Sequence, residues 1–142
     1  MTLLEPPPDT RAKSRPLIWV VVALVSVVAL SLLWSFRYYP EKKAAGRFFE
    51  AVAAGDMNRA YQIWKPGPNY AMPDFLADWG PNGYYGPVKS FEIGEASAPR
   101  GGSGVIVSVK VSPYVPFPSA GDAEKNRRTR TVRIWVETRD KS

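Results

Sequence analysis

The sequence predicts an α+β protein in which a transmembrane helix precedes a small domain of helices packed on an antiparallel sheet. Three observations lead to this class. Residues 17–36 carry no charge. Apolar residues then recur at helical spacing between residues 41 and 79, and apolar and polar residues alternate in three segments after residue 87. A chain of 142 residues has room for one such domain.

The composition excludes several kinds of chemistry. The chain contains no Cys and no His, which rules out disulfides, thiol nucleophiles and the usual ligands of structural zinc, haem and iron–sulfur clusters. We therefore expect no metal and no cofactor. Nineteen Lys and Arg against 13 Asp and Glu give a net charge of +6. That charge suits an anionic lipid surface or an acidic partner, but it is too moderate to predict nucleic-acid binding.

The N-terminal part of the chain predicts a tail and a membrane span. Residues 1–16 are rich in proline and poor in apolar side chains, so a disordered tail is expected. In residues 17–36, 13 of 20 positions are Leu, Ile, Val or Phe. As a helix this segment would be about 30 Å long, the thickness of a bilayer core. Aromatic rings flank it, as at lipid–water interfaces: Trp19, Trp34, Tyr38 and Tyr39.

Two alternatives to an anchor are a buried helix of a soluble protein and a cleaved signal peptide. The apolar region of a signal peptide runs for roughly 7–15 residues and ends at a small-residue cleavage site. The run here is longer and continues as "SLLWSFRYYP", so an uncleaved single span is favoured. Lys and Arg are almost evenly distributed around it and do not fix the orientation. We expect a cytoplasmic N-terminus, as in most signal-anchor proteins, with the C-terminal domain outside the cytoplasm.

Residues 41–138 are expected to form the folded domain, which opens with a helical hairpin. Apolar side chains recur at helical spacing from Ala45 to Ala53. Gly55 can end this helix in a left-handed conformation, and Asp56 can cap the next helix through its carboxylate. The second helix would end at Trp64, before the helix-breaking "KPGP".

A third helix and three strands complete the predicted domain. The helix is expected over "MPDFLADW", residues 72–79. The predicted strands are residues 88–96, 104–112 and 129–138. Their alternation predicts antiparallel strands with one covered face, and the helices would provide the cover.

The stretch "AAGRFFEAVAAGDMNRAYQIW", followed by "DFLADWGPNGYYGPVKSFEI", resembles the opening of nuclear transport factor 2-like, or cystatin-like, domains. The matched positions are Phe48, Phe49, Gly55, Asp56, Ala60 and Tyr61. The resemblance covers roughly residues 41–138 and is strongest to small membrane-anchored bacterial members. It implies a curved antiparallel sheet wrapped around a long first helix. Some enzymes of this superfamily use an Asp, Tyr and His set, and this chain has no His.

Aromatic residues near the turn "DWGPNGYYGP" indicate a surface for a ligand or partner. The candidate contact residues are Trp64, Trp79, Tyr84 and Tyr85, together with Asp78. The alternative is that these rings finish the core with their polar tips hydrogen-bonded. Asp78 beside tyrosines would also resemble a phenol-and-carboxylate isomerase site. Asp74 lies four residues earlier on the same helix face, which is typical of a solvated face.

A basic run lies near the C-terminus: Lys125, Arg127, Arg128, Arg130 and Arg133. Such a run is typical of a solvated loop and edge strand, and the alternative is contact with anionic lipid headgroups. Taken together, the sequence predicts no catalytic residue and no enzyme. We expect a membrane-anchored interaction or scaffold module with a protein partner in a membrane complex. A small-ligand-binding or isomerase-like domain is the alternative.

Overall fold

The computed structural model describes residues 14–139. The predicted disordered tail, residues 1–16, lies outside the described part except for its last three positions, which are helical. The chain divides into two compact units between Arg37 and Tyr38. The elements are α1 (Ser14–Phe36), α2 (Tyr39–Ala53), α3 (Met57–Trp64), α4 (Met72–Trp79), β1 (Ser90–Ser97), β2 (Gly104–Ser112), α5 (Ala123–Asn126) and β3 (Arg130–Glu137). The predicted α+β class is confirmed.

Helix α1 is apolar and exposed along its length. Every side chain from residue 17 to residue 36 is exposed. Two serines in the run donate their hydroxyls to the carbonyl one turn earlier, Ser26 to Val22 at 2.8 Å and Ser35 to Ser31 at 2.9 Å. Among the described residues, one helix is long and apolar enough to cross a membrane, and its apolar run lies in α1.

The helical hairpin that opens the second unit forms as its local sequence predicts. Helix α2 begins at Tyr39, and Pro40 lies in its first turn, where the missing N–H removes no helical hydrogen bond. Gly55 has φ 76°, the left-handed conformation expected after a helix end. The Asp56 carboxylate accepts a hydrogen bond from the Arg59 backbone N–H at 3.1 Å and caps α3.

Three antiparallel strands form one sheet in the order β1-β2-β3, with β2 in the centre. The buried side chains of β2 alternate, as its sequence pattern predicts. The pairing of β1 shifts once: Ile93 faces Val109, whereas Ala96 faces Val107. Two residues of β1 therefore lie opposite one residue of β2, which is a β-bulge.

Aromatic rings from the helices cover the apolar face of the sheet. Phe48 and Phe49 of α2 are 3% and 0% exposed. Their centroids lie 5.2 and 5.5 Å from that of Trp79 at the end of α4. Phe49 also contacts Phe91 of β1, with 5.7 Å between ring centroids. The buried residues of β2 and β3 beneath these rings are Val105, Val107, Val109, Val111, Val132, Ile134 and Val136.

The connection from β2 to β3 is bonded to the start of β1. The Ser90 hydroxyl donates to the Tyr114 carbonyl at 2.6 Å and ties the start of the connection to β1. Further along, the Asn126 side-chain amide donates to the Ser119 carbonyl at 2.8 Å. The second bond holds the turn that contains helix α5, and three residues separate this helix from β3.

We expect Phe49→Ala to destabilise the protein by about 3–5 kcal/mol, because the substitution leaves a cavity among rings that cannot close around it. Such a loss is a large part of the free energy of unfolding of a typical domain, which is roughly 5–15 kcal/mol. The measurement is thermal and urea unfolding of the full chain in an uncharged detergent. Leu76→Ala is the matched control, since Leu76 is 39% exposed. Equal melting temperatures for the two variants would contradict the packing described for α2.

Candidate functional site

Trp79, one of the predicted contact residues, is buried. Its side chain is 2% exposed and contacts both phenylalanines of α2. On its other side it stacks on Tyr85, with 4.6 Å between ring centroids and 26° between ring planes. Trp79 thus belongs to the core, and Tyr85 is the ring that continues the core towards the surface.

The turn after α4, residues 80–87, is called the tyrosine turn here. It folds back on the end of α4. The Tyr84 backbone N–H donates to the Ala77 carbonyl at 2.9 Å, and the Tyr85 backbone N–H donates to the Asp78 carbonyl at 2.8 Å. Carbonyls at a helix C-terminus have no partner within the helix, so the turn supplies one. The return is tight enough that a β-carbon at Gly86 would overlap the carbonyl oxygen of Gly80.

Tyr84 is the exposed aromatic residue of the tyrosine turn. Its side chain is 69% exposed, and its ring lies edge-on to that of Tyr85 at 4.8 Å. Arg130 holds it from the sheet side: Nη1 donates to the Tyr84 carbonyl at 2.6 Å, and the guanidinium carbon lies 5.5 Å from the ring centroid. Of the predicted contact residues, Tyr84 is the one presented to the surroundings.

Trp64, at the end of α3, is half-buried against the core. Its ring centroid lies 5.0 Å from that of Phe48 and 5.7 Å from that of Trp79. Trp64 and Trp135 line a small apolar cavity of about 20 Å³. This volume is near the size of one water molecule, far below the roughly 300 Å³ of small-ligand sites.

Asp78 is bound to a tyrosine, but not to the tyrosines of the turn. It accepts a hydrogen bond from the Tyr70 hydroxyl at 2.6 Å, and the Tyr70 carbonyl in turn accepts one from the Tyr61 hydroxyl at 2.9 Å. Burial, and then the bond to Asp78, raise the pKa of the Tyr70 phenol above its ordinary value of 10.0. Asp74 has a different role, since its carboxylate accepts from the Ala71 backbone N–H at 3.0 Å at the start of α4.

The aromatic residues predicted for the membrane interface separate into two groups. Trp19 and Trp34 are 73% and 76% exposed, and the Arg37 guanidinium lies 5.8 Å from the Trp34 ring centroid. Tyr39 is 55% exposed. Tyr38 differs, because its half-buried ring packs against the core of the α+β domain.

A larger cavity of about 350 Å³ lies between the tyrosine turn and the residues that precede β3. Tyr85 and Val111 form part of its wall, and its charged lining residues are Arg127, Arg128 and Arg130. In the sequence, the aromatic turn and the basic run are separate features about 40 residues apart. The strand register brings them together. Arg130, in the basic run, pairs with Val111 of β2, and both residues line the same cavity as Tyr85 of the turn.

Within residues 14–139, no three His, Cys, Asp or Glu side chains are grouped so that they could hold a metal ion. Arg127, Arg128 and Arg130, which line the larger cavity, are groups that pair with anions. No protein-family model, curated protein or solved structure matches the chain.

We expect Tyr70→Phe to lower the stability by about 1 kcal/mol near neutral pH, through loss of the hydrogen bond to Asp78. The pH dependence should change as well. The pKa of Tyr70 is higher in the folded state than in the unfolded chain. The protonated phenol therefore contributes fully to the free energy of unfolding below about pH 10, and this contribution is lost as the pH rises above that value. The stability of the parent should therefore fall more steeply above pH 10 than that of Tyr70→Phe.

Urea unfolding in detergent at a series of alkaline pH values measures this difference. Tyr84→Phe is the matched control, because it removes a phenolic hydroxyl from an exposed ring and should follow the parent. Parallel curves for the parent and Tyr70→Phe would show that the phenol is not coupled to folding.

Proposed function

We propose that this chain is a membrane-anchored, non-catalytic binding module, in which α1 is the anchor and the α+β domain binds a protein partner in a membrane complex. The observation that carries the proposal is the bare apolar surface of α1, exposed from residue 17 to residue 36. An apolar surface of that extent is unfavourable in water. In a bilayer, its 13 large aliphatic and phenylalanine side chains would supply on the order of −5 kcal/mol.

The polar groups of α1 also support insertion. Ser26 and Ser35 bond to carbonyls of their own helix, so their hydroxyls need no water. Trp19 and Trp34 are 15 residues apart, which corresponds to about 22 Å along a helix and suits rings placed towards the two borders of a bilayer core. The proposed location is a bacterial inner membrane with the C-terminal domain outside the cytoplasm.

The filled interior of the domain favours contact over catalysis. Phe48, Phe49 and Trp79 occupy the space between the helices and the sheet. Asp78 bonds to a phenol whose raised pKa makes it a poor acid near neutral pH. An isomerase-like site would need an open pocket beside a carboxylate. Membership of the nuclear transport factor 2-like superfamily is part of the proposal, and the helices covering one antiparallel sheet are in keeping with it.

Tyr84 is the proposed centre of the partner surface. It is exposed, held in place by Arg130, and next to Tyr85. Tyrosine and arginine are enriched at protein interfaces, because a rigid ring or planar guanidinium offers contact area and hydrogen bonds at little entropic cost.

We expect the full chain to remain in the membrane pellet after alkaline carbonate extraction, because the apolar helix is held by lipid and not by charge. A chain that starts at residue 38 is the control and should be found in the supernatant. Release of the full chain, or a mature N-terminus that maps after residue 36, would contradict the anchor.

We expect a photo-crosslinking amino acid at Tyr84 to give a discrete adduct in native membranes, because this ring is proposed to lie in the interface. Val115 is the control position, since it is also exposed, at 73%. Immunoblotting of irradiated membranes detects the adducts. Adducts of equal yield at both positions, or none at Tyr84, would count against a partner at the tyrosine turn.

An assay for enzymatic turnover of a small carbonyl compound tests the non-catalytic part of the proposal. Turnover by the parent that is lost in the Asp78→Asn variant would overturn it.

A further inference from the structure

The cavity beside the tyrosine turn, called the arginine cavity here, collects positive charge. Its volume is about 350 Å³, and the charged lining residues within residues 14–139 are Arg127, Arg128 and Arg130. The side chains of Arg127 and Arg128 make no ion pair and no hydrogen bond with any residue that the structure describes. Three arginines that line one space repel each other, and a bound anion would reduce that repulsion.

The backbone holds these arginines in position. Arg127 and Arg128 follow α5, and the Arg128 backbone N–H donates to the Lys125 carbonyl at 3.1 Å. Arg130 is the first residue of β3 and pairs with the buried Val111. Its side chain uses one N–H for the Tyr84 carbonyl. A guanidinium has five N–H donors, so donors remain for a ligand.

The walls of the arginine cavity are not only basic. Tyr85 lines it with a ring that is stacked on the buried Trp79 and therefore fixed in place. Pro87 and Pro113 add aliphatic surface. The volume is at the lower end of the range for small-molecule sites, roughly 300–1,000 Å³, and exceeds what a lone phosphate ion would fill.

We propose that the arginine cavity binds the phosphate group of a small organic phosphate. The planar guanidinium groups of Arg127 and Arg128 match the oxygens of a phosphate in paired hydrogen bonds. Arg130 adds charge from the first position of β3, and the short organic part lies against Tyr85 and Pro113. The phosphate can belong to a free metabolite or to a lipid headgroup, which present the same chemistry to the arginines. The proposal depends neither on the anchor nor on the partner surface.

The experiment measures the melting temperature of the full chain in an uncharged detergent. One arm titrates glycerol 3-phosphate as the free phosphate. The other arm adds phosphatidylglycerol to the micelles, with diacylglycerol as the lipid without phosphate. A ligand that binds only the folded state raises the melting temperature, and the rise grows with the logarithm of the ligand concentration once that concentration exceeds Kd. Fitting this dependence gives the affinity.

We expect stabilisation that follows this concentration dependence in one of the two arms, and Arg127→Gln and Arg128→Gln should each weaken the affinity by about tenfold or more. These variants remove no hydrogen bond and no ion pair within residues 14–139, so we expect their folding to be unaffected. Arg133→Gln is the matched control, because it removes the same charge from an exposed residue of β3 that does not line the cavity. It should change the affinity by less than about twofold, since salt screens distant charges.

The pattern across the two arms identifies the source of the phosphate. Stabilisation by glycerol 3-phosphate indicates a free metabolite, and stabilisation by phosphatidylglycerol alone indicates a headgroup. The proposal is overturned if neither compound stabilises the parent. It is also overturned if Arg133→Gln weakens binding as much as Arg127→Gln, because net charge and not the cavity would then be responsible.

Discussion

The domain depends on two adjacent phenylalanines that pack in different directions. Neighbouring residues on a helix point about 100° apart, so a helix resting on a flat sheet would bury only one of them well. Phe49 packs towards the sheet through Phe91, whereas Phe48 packs towards the other helices through Trp64. Both can be buried because α3 and α4 enclose the side of α2 that the sheet leaves uncovered. The three helices and the sheet therefore stabilise one another around a single pair of rings.

The same core determines where the surface features lie. Trp79 contacts the phenylalanine pair on one side and Tyr85 on the other. Tyr85 is at once the last ring of the aromatic core and a wall of the arginine cavity. The position of the cavity is therefore a consequence of core packing, and a change in the core would be transmitted to it by one stacked pair.

Local features of the fold could be predicted from the sequence, whereas the relations between distant segments could not. Gly55 and Asp56 act on the residues next to them, and helix α4 spans the predicted residues 72–79. Strand alternation identified the covered face correctly. The burial of Trp79 and the choice of Tyr70 as the partner of Asp78 depend on how helices pack. The bond from Arg130 to Tyr84 joins residues 46 positions apart, and no periodic pattern reports such a contact.

In the tyrosine turn, the constraints on the backbone differ from those on the exposed side chain. Gly86 is confined by the nearby Gly80 carbonyl, and the carbonyl of Tyr84 accepts a hydrogen bond from Arg130. Both of these contacts are made to backbone atoms, so they do not depend on which side chain stands at position 84. The Tyr84 side chain is 69% exposed, so it can be replaced more easily than the backbone around it can move. A chain of this kind can exchange the side chain at this position for another and acquire a new binding preference while its fold stays the same.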